Sequence, residues 1–294
     1  MPPTLPLTIS QLERTEIAHI NRQAQAIQIL HLTPTLTTPI IIQPICNGTA
    51  VRTLRAYTGK LNRVVGLGMA HAVTHIDLET LEALYGEIGL TPDVHLCEAA
   101  DGSAERVLGE RGYWCWGELG VYVRYLGSGI EGEGEGKGMD VVAEVEELKD
   151  PSEQEKEEFI EASIAGFAEQ GRSRDLLGVL ARIAVVREDT RLFVARGEGG
   201  VVVGTAALGV LDAGEGVEEG ESVGHLYLDS TVPGYRGKGV HVGLIRERVR
   251  CARKMGLRVV SLSTGVEGGS KRNAEREGFE LVYRKKGFVK GQRG

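Results

Sequence analysis

The segment from Leu226 to Leu244, LYLDSTVPGYRGKGVHVGL, constrains the fold more than any other part of the chain. It joins a strand-like run to the start of an amphipathic helix through a Pro-Gly break and a basic glycine turn. Glycine tolerates the backbone angles that point successive amides inward, so Gly237 and Gly239 predict an amide nest. The following helix N-terminus and the charges of Arg236 and Lys238 favour a bound pyrophosphate. The alternative is an ordinary basic turn before a helix.

This turn resembles the acetyl-CoA-binding signature of the GCN5-related N-acetyltransferases (GNATs), Arg/Gln-x-x-Gly-x-Gly/Ala. The matching residues are Arg236, Gly237, Lys238, Gly239, Val240 and His241, the last of which replaces a small residue. Walker A and Rossmann spacing do not fit, because no Gly-Lys-Ser/Thr follows the first glycines and the third Rossmann glycine is missing. The resemblance implies that acetyl-CoA is a co-substrate whose pyrophosphate binds at these six residues.

Composition narrows the class of protein. The 294 residues suit two domains, and 41% hydrophobic with 26% charged residues is typical of a globular protein. No apolar run is long enough to cross a membrane, and the N-terminus lacks the pattern of a secretory signal, so we expect a cytoplasmic protein. A net charge of −7 disfavours a nucleic-acid partner and suits a cationic amine.

The Gly/Glu-rich stretch GSGIEGEGEGKG divides the chain near its middle and predicts a linker at residues 129–139. A second such stretch, at residues 213–222, predicts a long loop between two strands. The expected domains are therefore residues 1–128 and residues 140–294.

The C-terminal half predicts the element order β-α-α-β-β-β-α-β-α-β, with the basic turn opening the third helix. This order is similar to that of the GNATs and extends the resemblance to roughly residues 140 to 290. The implied fold class is α/β (α+β), a GNAT fold with a central mixed, mostly antiparallel sheet flanked by helices.

The N-terminal half carries no such motif. Its pattern predicts a helix near Ile9 to Ile27, several short strands, and a helix-strand-helix-strand tail that echoes the tail of the C-terminal half. We interpret it as a degenerate GNAT-like domain, as in tandem acetyltransferases, that shapes the substrate cleft. The segment from Gly66 to His71, GLGMAH, lacks a basic residue and favours a packing turn, so no second cofactor site is expected.

The strand before the basic turn holds the first candidate catalytic residue. Strand alternation places His225, Tyr227, Asp229 and Thr231 on one face, which is unusually polar for a central strand. Asp229 is positioned to accept the amine proton or to hold a cationic substrate. A solvated or hydrogen-bonded strand face is the equally weighted alternative.

Further roles follow from the GNAT resemblance alone. The backbone of Thr231 and Val232 is implied to contact the pantetheine arm and the thioester carbonyl. Many GNATs carry a tyrosine acid where this chain has Ala274. Asn273 is then a candidate contact to the pantetheine or the sulfur, and Tyr283 a candidate acid. The alternatives are helix capping for Asn273 and core packing for Tyr283.

Other reactive residues carry less signal. The four cysteines lack CxxC spacing, and Cys251, among arginines on the basic helix, is interpreted as a structural thiol. His71 and His75 lie four apart, but no third ligand follows, so no metal site is expected.

The resulting prediction is an acetyl-CoA-dependent N-acetyltransferase that moves an acetyl group directly to a primary amine. Small molecules, polyamines, protein N-termini and lysines all remain open as acceptors. The alternative function is a non-catalytic CoA-binding or interaction protein that kept the turn but lost the acid.

Overall fold

The structure is a computed structural model that describes residues 6–30, 39–127, 143–168, 171–212 and 222–291. The predicted linker at 129–139 lies outside these residues, and so does all but the last residue of the loop predicted at 213–222.

The chain forms two compact units. The first unit contains the described residues up to Gly120, together with Asp212 and the segment from Val282 onward. The second contains Val121–Leu211 and the described residues from Ser222 to Leu281. The predicted domain boundaries stay a prediction, and the units differ from them in that the segment from Val282 belongs with the N-terminal half.

The first unit packs three helices against a small sheet. Its helices are α1 (Ile9–Leu30), α2 (His75–Gly86) and α3 (Gly102–Glu110). Its strands are β1 (Ile41–Ile45), β2 (Gly48–Arg52), β3 (Arg63–Val65), β4 (Val94–Cys97) and, from Val282 onward, β11 (Glu280–Lys290), in the order β1-β2-β3-β4-β11. Strands β3 and β4 are parallel, whereas β1–β2, β2–β3 and β4–β11 are antiparallel pairs. A further strand, β5 (Tyr113–Tyr125), begins in this unit and ends in the second.

The chain from Glu144 to Lys290 has the element order that the sequence predicts, but only the first two residues of β11 belong to the second unit. Its helices are α4 (Glu153–Phe167), α5 (Arg174–Val186), α6 (Val240–Lys254) and α7 (Gly269–Arg276). Its strands are β6 (Glu144–Leu148), β7 (Thr190–Arg196), β8 (Val202–Asp212), β9 (Ser222–Thr231) and β10 (Val259–Gly265), in the order β10-β9-β8-β7-β6. Strands β9 and β10 are parallel, whereas β6, β7 and β8 pair in antiparallel fashion. The predicted mixed, mostly antiparallel sheet with flanking helices is confirmed.

Hydrophobic clusters cover both faces of this second sheet. Phe193 on β7 packs in a cluster with Leu244 and Val249 of α6. Its neighbours on the strand, Leu192 and Val194, pack in the other cluster with α4 and α5. This alternation is what period-two side-chain direction requires of a central strand that is buried on both sides.

Strand β9 breaks that alternation. Leu228 has a backbone φ of +57°, a left-handed conformation that is uncommon for a residue with a branched side chain. As a result Tyr227 and Leu228 both pack against the α4 and α5 cluster, whereas Leu226 packs on the α6 side. The next residue, Asp229, then points toward α6, where it contacts Arg248. The predicted shared face of Tyr227 and Asp229 is therefore wrong, because an irregularity in the strand lies between them.

Candidate functional site

A cavity of about 470 Å3 lies where the second unit's parallel pair ends. The β9–β10 pairing runs to Leu226 and Leu262, and both strands continue past this pair. The wall comes from the ends of α4 and β9, the basic turn, and the first turns of α6 and α7. The lining residues are Gly166, Phe167, Asp229, Ser230, Thr231, Tyr235, Arg236, Gly237, Gly239, Val240, His241, Val242, Gly269, Ser270 and Asn273.

The basic turn places free amides on this cavity. Gly237 and Gly239 have φ values of +75° and +79°, which side-chain-bearing residues adopt only with strain. Helix α6 begins immediately afterwards at Val240, so its unpaired N-terminal amides add to those of the turn. Within the described chain, the amides of Gly237, Gly239 and Val240 donate to no other backbone or side-chain acceptor. The arrangement fits an anion such as a pyrophosphate.

Arg236 holds the walls of the cavity in place. Its Nη2 donates to the carbonyl of Gly166 at 3.0 Å, and its Nε donates to the carbonyl of Thr231 at 3.3 Å. The guanidinium thus links the end of α4 to the end of β9. Gly166 permits this close approach, because a Cβ atom there would lie 2.6 Å from the Cβ of Ser230.

Asp229 is held ionised by a buried arginine. Both terminal nitrogens of Arg248 contact its carboxylate, and the Arg248 side chain is 0% exposed. Arg248 also donates to the backbone carbonyls of Leu244 and Ala207. Burial opposes ionisation of Asp229, but the charge of Arg248 and the hydrogen bond from His241 outweigh it and lower its pKa to about 2. A carboxylate with so low a pKa is a weak proton acceptor, and its geometry is that of an orienting group.

His241 extends this contact into the cavity. Its Nε2 lies 3.3 Å from Oδ1 of Asp229, and its Nδ1 lies 2.9 Å from Nδ2 of Asn273. The imidazole is 22% exposed, as expected of a group that lines the cavity. The side chains of Arg248, Asp229, His241 and Asn273 therefore form one continuous polar chain from the core to the cavity wall.

Tyr283 is not among the residues that line this cavity. It lies in the first unit, is 1% exposed, and donates its hydroxyl proton to Oε2 of Glu13 at 2.8 Å. Burial and the nearby Glu13 and Glu16 raise its pKa. The core-packing alternative, with a hydrogen-bonded hydroxyl, describes this position.

The structure brings together most of the predicted site residues and separates a few. Those that line the cavity are Asp229, Thr231, Arg236, Gly237, Gly239, Val240, His241 and Asn273. Val232 and Lys238 do not; the amide of Val232 donates to Val203, and the ammonium of Lys238 lies 5.0 Å from the centre of the Tyr235 ring.

Sequence reasoning missed the role of Arg248. A signal was present, because Arg248 lies seven residues after His241, a spacing that places both on one face of a helix. It also missed Phe167 and Ser230, which reach the cavity only through the close packing of α4 on β9. For these two residues the sequence carried no signal.

Cys251 has no activated thiol. Burial, followed by the charge of Glu147, raises its pKa to about 11. Its Sγ lies 3.6 Å from Glu147 Oε2. The charge of Arg191 opposes this rise in the thiol pKa without cancelling it, so the structural interpretation of Cys251 stands.

The residues that the structure describes contain neither a metal-type cluster nor a membrane-spanning helix. No cluster of three or more His, Cys, Asp or Glu side chains there has the arrangement of a metal site. No helix there is both long and apolar enough to span a bilayer.

The fold is similar to solved GNAT structures along almost the whole chain. A GCN5-related N-acetyltransferase from Kribbella flavida matches with a TM-score of 0.60 and 14% identity, over 94% of this chain and 96% of that one. A GCN5-related N-acetyltransferase from Sphaerobacter thermophilus matches with a TM-score of 0.55 and 16% identity, over 98% of this chain and 96% of that one. A tandem GNAT protein from the clavulanic acid biosynthesis pathway matches with a TM-score of 0.53 and 12% identity, over 99% of each chain. The chain thus has the GNAT fold, and the similarity to a tandem protein extends over both units.

No family model and no curated protein matches the sequence. At these identities the likeness to solved structures establishes the fold, and the activity has to be argued from the site.

Proposed function

We propose that the protein is an acetyl-CoA-dependent N-acetyltransferase of the GNAT superfamily, with its catalytic site in the second unit. The observation that carries this proposal is the basic turn at the mouth of the cavity, where left-handed glycines and the first turn of α6 present free amides. Acetyl-CoA supplies an activated acetyl thioester, and these amides fit its pyrophosphate.

The remaining cavity residues fit the rest of such a ligand. Strands β9 and β10 both continue past their last pair, Leu226 and Leu262, and Thr231 at the end of β9 lines the cavity, where the pantetheine arm would lie. Asn273 presents a side-chain amide from the middle of α7. Phe167, the last residue of α4, adds an apolar side chain to the cavity lining.

Asp229 is the carboxylate among the side chains that line the cavity. It remains ionised at neutral pH, since its pKa is lowered to about 2, but the charge of Arg248 balances its own. The preference for an acceptor that arrives as a cation, such as a primary amine, rests instead on the net charge of −7 of the whole chain. Polyamines, small amines, lysine side chains and protein N-termini share this chemistry.

The test has two steps. Calorimetric titration should show one acetyl-CoA site per chain, and thiol release should accelerate with at least one amine among spermidine, a lysine peptide and a peptide with a free N-terminus. Failure to bind acetyl-CoA would overturn the proposal at its first step.

A second candidate is a CoA-binding protein without transferase activity. The specific observation in its favour is that the carboxylate of Asp229 is already occupied by Arg248, while Tyr283 hydrogen-bonds in the first unit. Tight acetyl-CoA binding without thiol release for any of the three amines would select this candidate.

A further inference from the structure

Acetyl transfer to an amine needs a group that removes a proton from nitrogen, and the cavity offers few. The titratable side chains that line it are Asp229, Tyr235, Arg236 and His241. Arg236 holds two backbone carbonyls, and Asp229 is paired with Arg248. His241 is the lining side chain whose neutral form combines a basic nitrogen with a fixed orientation.

The hydrogen-bond network sets which nitrogen of His241 is basic. Arg276 Nη1 donates to Oδ1 of Asn273 at 3.4 Å, which leaves the Asn273 amide nitrogen facing His241. Nδ1 must then be the acceptor, because the amide nitrogen is a donor. Nε2 carries the proton and donates it to the carboxylate of Asp229. The basic Nδ1 lies on the side of the ring that faces Asn273 at the cavity wall.

Asp229 and Arg248 support this arrangement from behind. An ionised carboxylate on Nε2 fixes the tautomer and stabilises the imidazolium that forms when Nδ1 takes a proton. Arg248 is 0% exposed and anchored to two backbone carbonyls, so it keeps the carboxylate ionised and immobile. The irregularity at Leu228 turns Asp229 toward α6, and His241 and Arg248 lie on the one face of α6 that meets it.

We propose that His241 is the catalytic base that accepts the proton of the acceptor amine at Nδ1, with Asp229 and Arg248 as positioning residues. This inference rests on the proposed acetyltransferase function. It assigns a role to the residue at which the chain departs from the small residue of the GNAT signature.

The step balances without any further reagent. The ammonium form of the acceptor first releases one proton to the solvent. The neutral amine nitrogen then forms a bond to the thioester carbonyl carbon, and a further proton moves from it to Nδ1 in exchange for the contact with Asn273. The carbon–sulfur bond breaks with its electron pair on sulfur, and the proton on Nδ1 returns to the thiolate. The products are the amide and free CoA, with His241 again neutral.

The decisive variant is His241→Ala, because alanine is also the small residue of the signature. A base role and a steric role predict opposite results for it. If His241 is the base, acetyl-CoA affinity stays the same or rises, and kcat falls by about 10²-fold or more with the best amine of the three named above. If the His241 side chain only narrows the cavity, kcat of the variant stays the same or rises.

Added imidazole gives a second readout. Imidazole fits the space that His241→Ala opens, and it should restore at least a tenth of the lost kcat. Asp229→Asn should also lower kcat, since the tautomer is no longer fixed, but imidazole should not restore it. His71→Ala is the matched control, since His71 is exposed and lies in the first unit.

The outcomes separate the two proposals. Wild-type turnover with a His241→Ala kcat within about twofold of wild type would overturn the base role and leave the transferase function standing. Acetyl-CoA binding without turnover in the wild type would overturn both. A large fall in kcat that imidazole repairs, with unchanged acetyl-CoA affinity and melting temperature, would support both.

Discussion

The two units contain glycine turns of nearly the same backbone shape and different surroundings. Gly66 and Gly68 in the first unit have φ values of +71° and +78°, and Gly237 and Gly239 in the second have +75° and +79°. Helix α6 begins directly after the second turn, whereas α2 begins only at His75. Left-handed glycines alone therefore do not make an anion site; the helix N-terminus that follows supplies the aligned amides.

The turn at Gly66 and Gly68 also has a carboxylate of the same chain bound to it. Glu13 of α1 accepts a hydrogen bond from the amide of Gly66 at 3.1 Å, so a carboxylate of the chain itself takes the position of an anion. A Cβ atom on Gly66 would lie 2.5 Å from Cδ1 of Ile17, which shows how closely α1 packs on this turn. The predicted packing turn describes this segment well.

Both units contain a buried ion pair, but only the pair in the second unit reaches a cavity. In the first unit the ammonium of Lys285 lies 2.8 Å from Glu13 and 3.2 Å from Glu16. Lys285 and Glu13 are buried in the core, and Glu16 is partly buried beside them. In the second unit the buried Arg248 reaches, through Asp229, the wall of a cavity. The same kind of buried ion pair serves stability in one unit and site geometry in the other.

The largest expected effect concerns the first unit's ion pair. Lys285→Met leaves the carboxylate of Glu13 buried without its cation, and the free energy of unfolding should fall by about 3–5 kcal/mol. Urea unfolding at pH 7 measures it. Lys286→Met is the matched control, because its side chain is 44% exposed and its pair with Glu105 is at the surface, so it should cost less than about 1 kcal/mol. Equal losses in the two variants would contradict the assignment of a buried charge.

The next effect separates backbone strain from ligand binding. Gly237→Val should weaken acetyl-CoA binding by about 100-fold or more, which is about 2.7 kcal/mol, because a branched side chain distorts the amide nest. Gly59→Val is the control, since Gly59 has a φ of +73° and equally open space around it. Both variants should lose similar stability, but calorimetry should find reduced affinity in the first alone. An unchanged dissociation constant for Gly237→Val would remove the basis for the cofactor site.

A pH series compares one carboxylate from each unit. The pKa of Asp229 is lowered from 3.8 to about 2, and that of Glu82 in the first unit from 4.5 to about 2, chiefly by its hydrogen bond from Arg111. A lowered folded-state pKa gives stability that is present above the unfolded pKa and lost as pH falls through the folded value. Asp229 should therefore contribute about 2 kcal/mol and Glu82 about 3 kcal/mol at pH 7, and both contributions should disappear between about pH 4.5 and pH 2.

Urea unfolding of wild type, Asp229→Asn and Glu82→Gln across this interval tests that expectation. The stability gap to each variant should close as pH falls. Only Asp229→Asn should also change amine turnover, because Glu82 does not line the cavity. A gap that stays constant with pH would show that the carboxylate charge contributes nothing.

The smallest effects are expected at two matched helix caps. Thr74 with Asp77 begins α2, and Ser152 with Glu155 begins α4, each as a reciprocal capping box. Thr74→Ala and Ser152→Ala should each lower the free energy of unfolding by about 1 kcal/mol, because one helix amide loses its acceptor. Thermal melting of the two variants beside wild type measures this, and acetyl-CoA affinity should stay unchanged in both. A shift in affinity for Ser152→Ala would mean that the start of α4 controls the cavity wall at its end.

Local sequence patterns predicted most helices and strands and the position of the basic turn. Turn chemistry and hydrophobic periodicity act over a few residues, so they can be recognised without tertiary information. The pattern predicts strands around Ile40 to Cys46 and Arg63 to Leu67 but not β2, a short strand of mixed composition between them. It also predicts a final strand from Phe279 to Tyr283, whereas β11 continues to Lys290. The run Arg284-Lys285-Lys286 suggests a surface segment, and Lys285 becomes buried only because Glu13 and Glu16 of α1 meet it.

The candidate site was predictable in its backbone and not in its side-chain directions. The glycines and the helix start follow from the motif. The direction of Asp229 depends on the left-handed conformation of Leu228, and leucine gives no sequence signal for it. The ion pair with Arg248 and the contacts of His241 both follow from that one irregular residue.

The place of the last strand has a consequence for synthesis on the ribosome. Residues from Val282 onward complete the first unit, where β11 pairs with β4 from Lys285–Cys97 to Phe288–Val94. The ribosome makes all of the second unit before this segment, so the second unit has every one of its strands while the first still lacks one. Closing that first sheet joins residues far apart in sequence, a slow kind of contact to form. Until then β4 presents an unpaired edge, which makes the nascent first unit the part of the chain most in need of a chaperone.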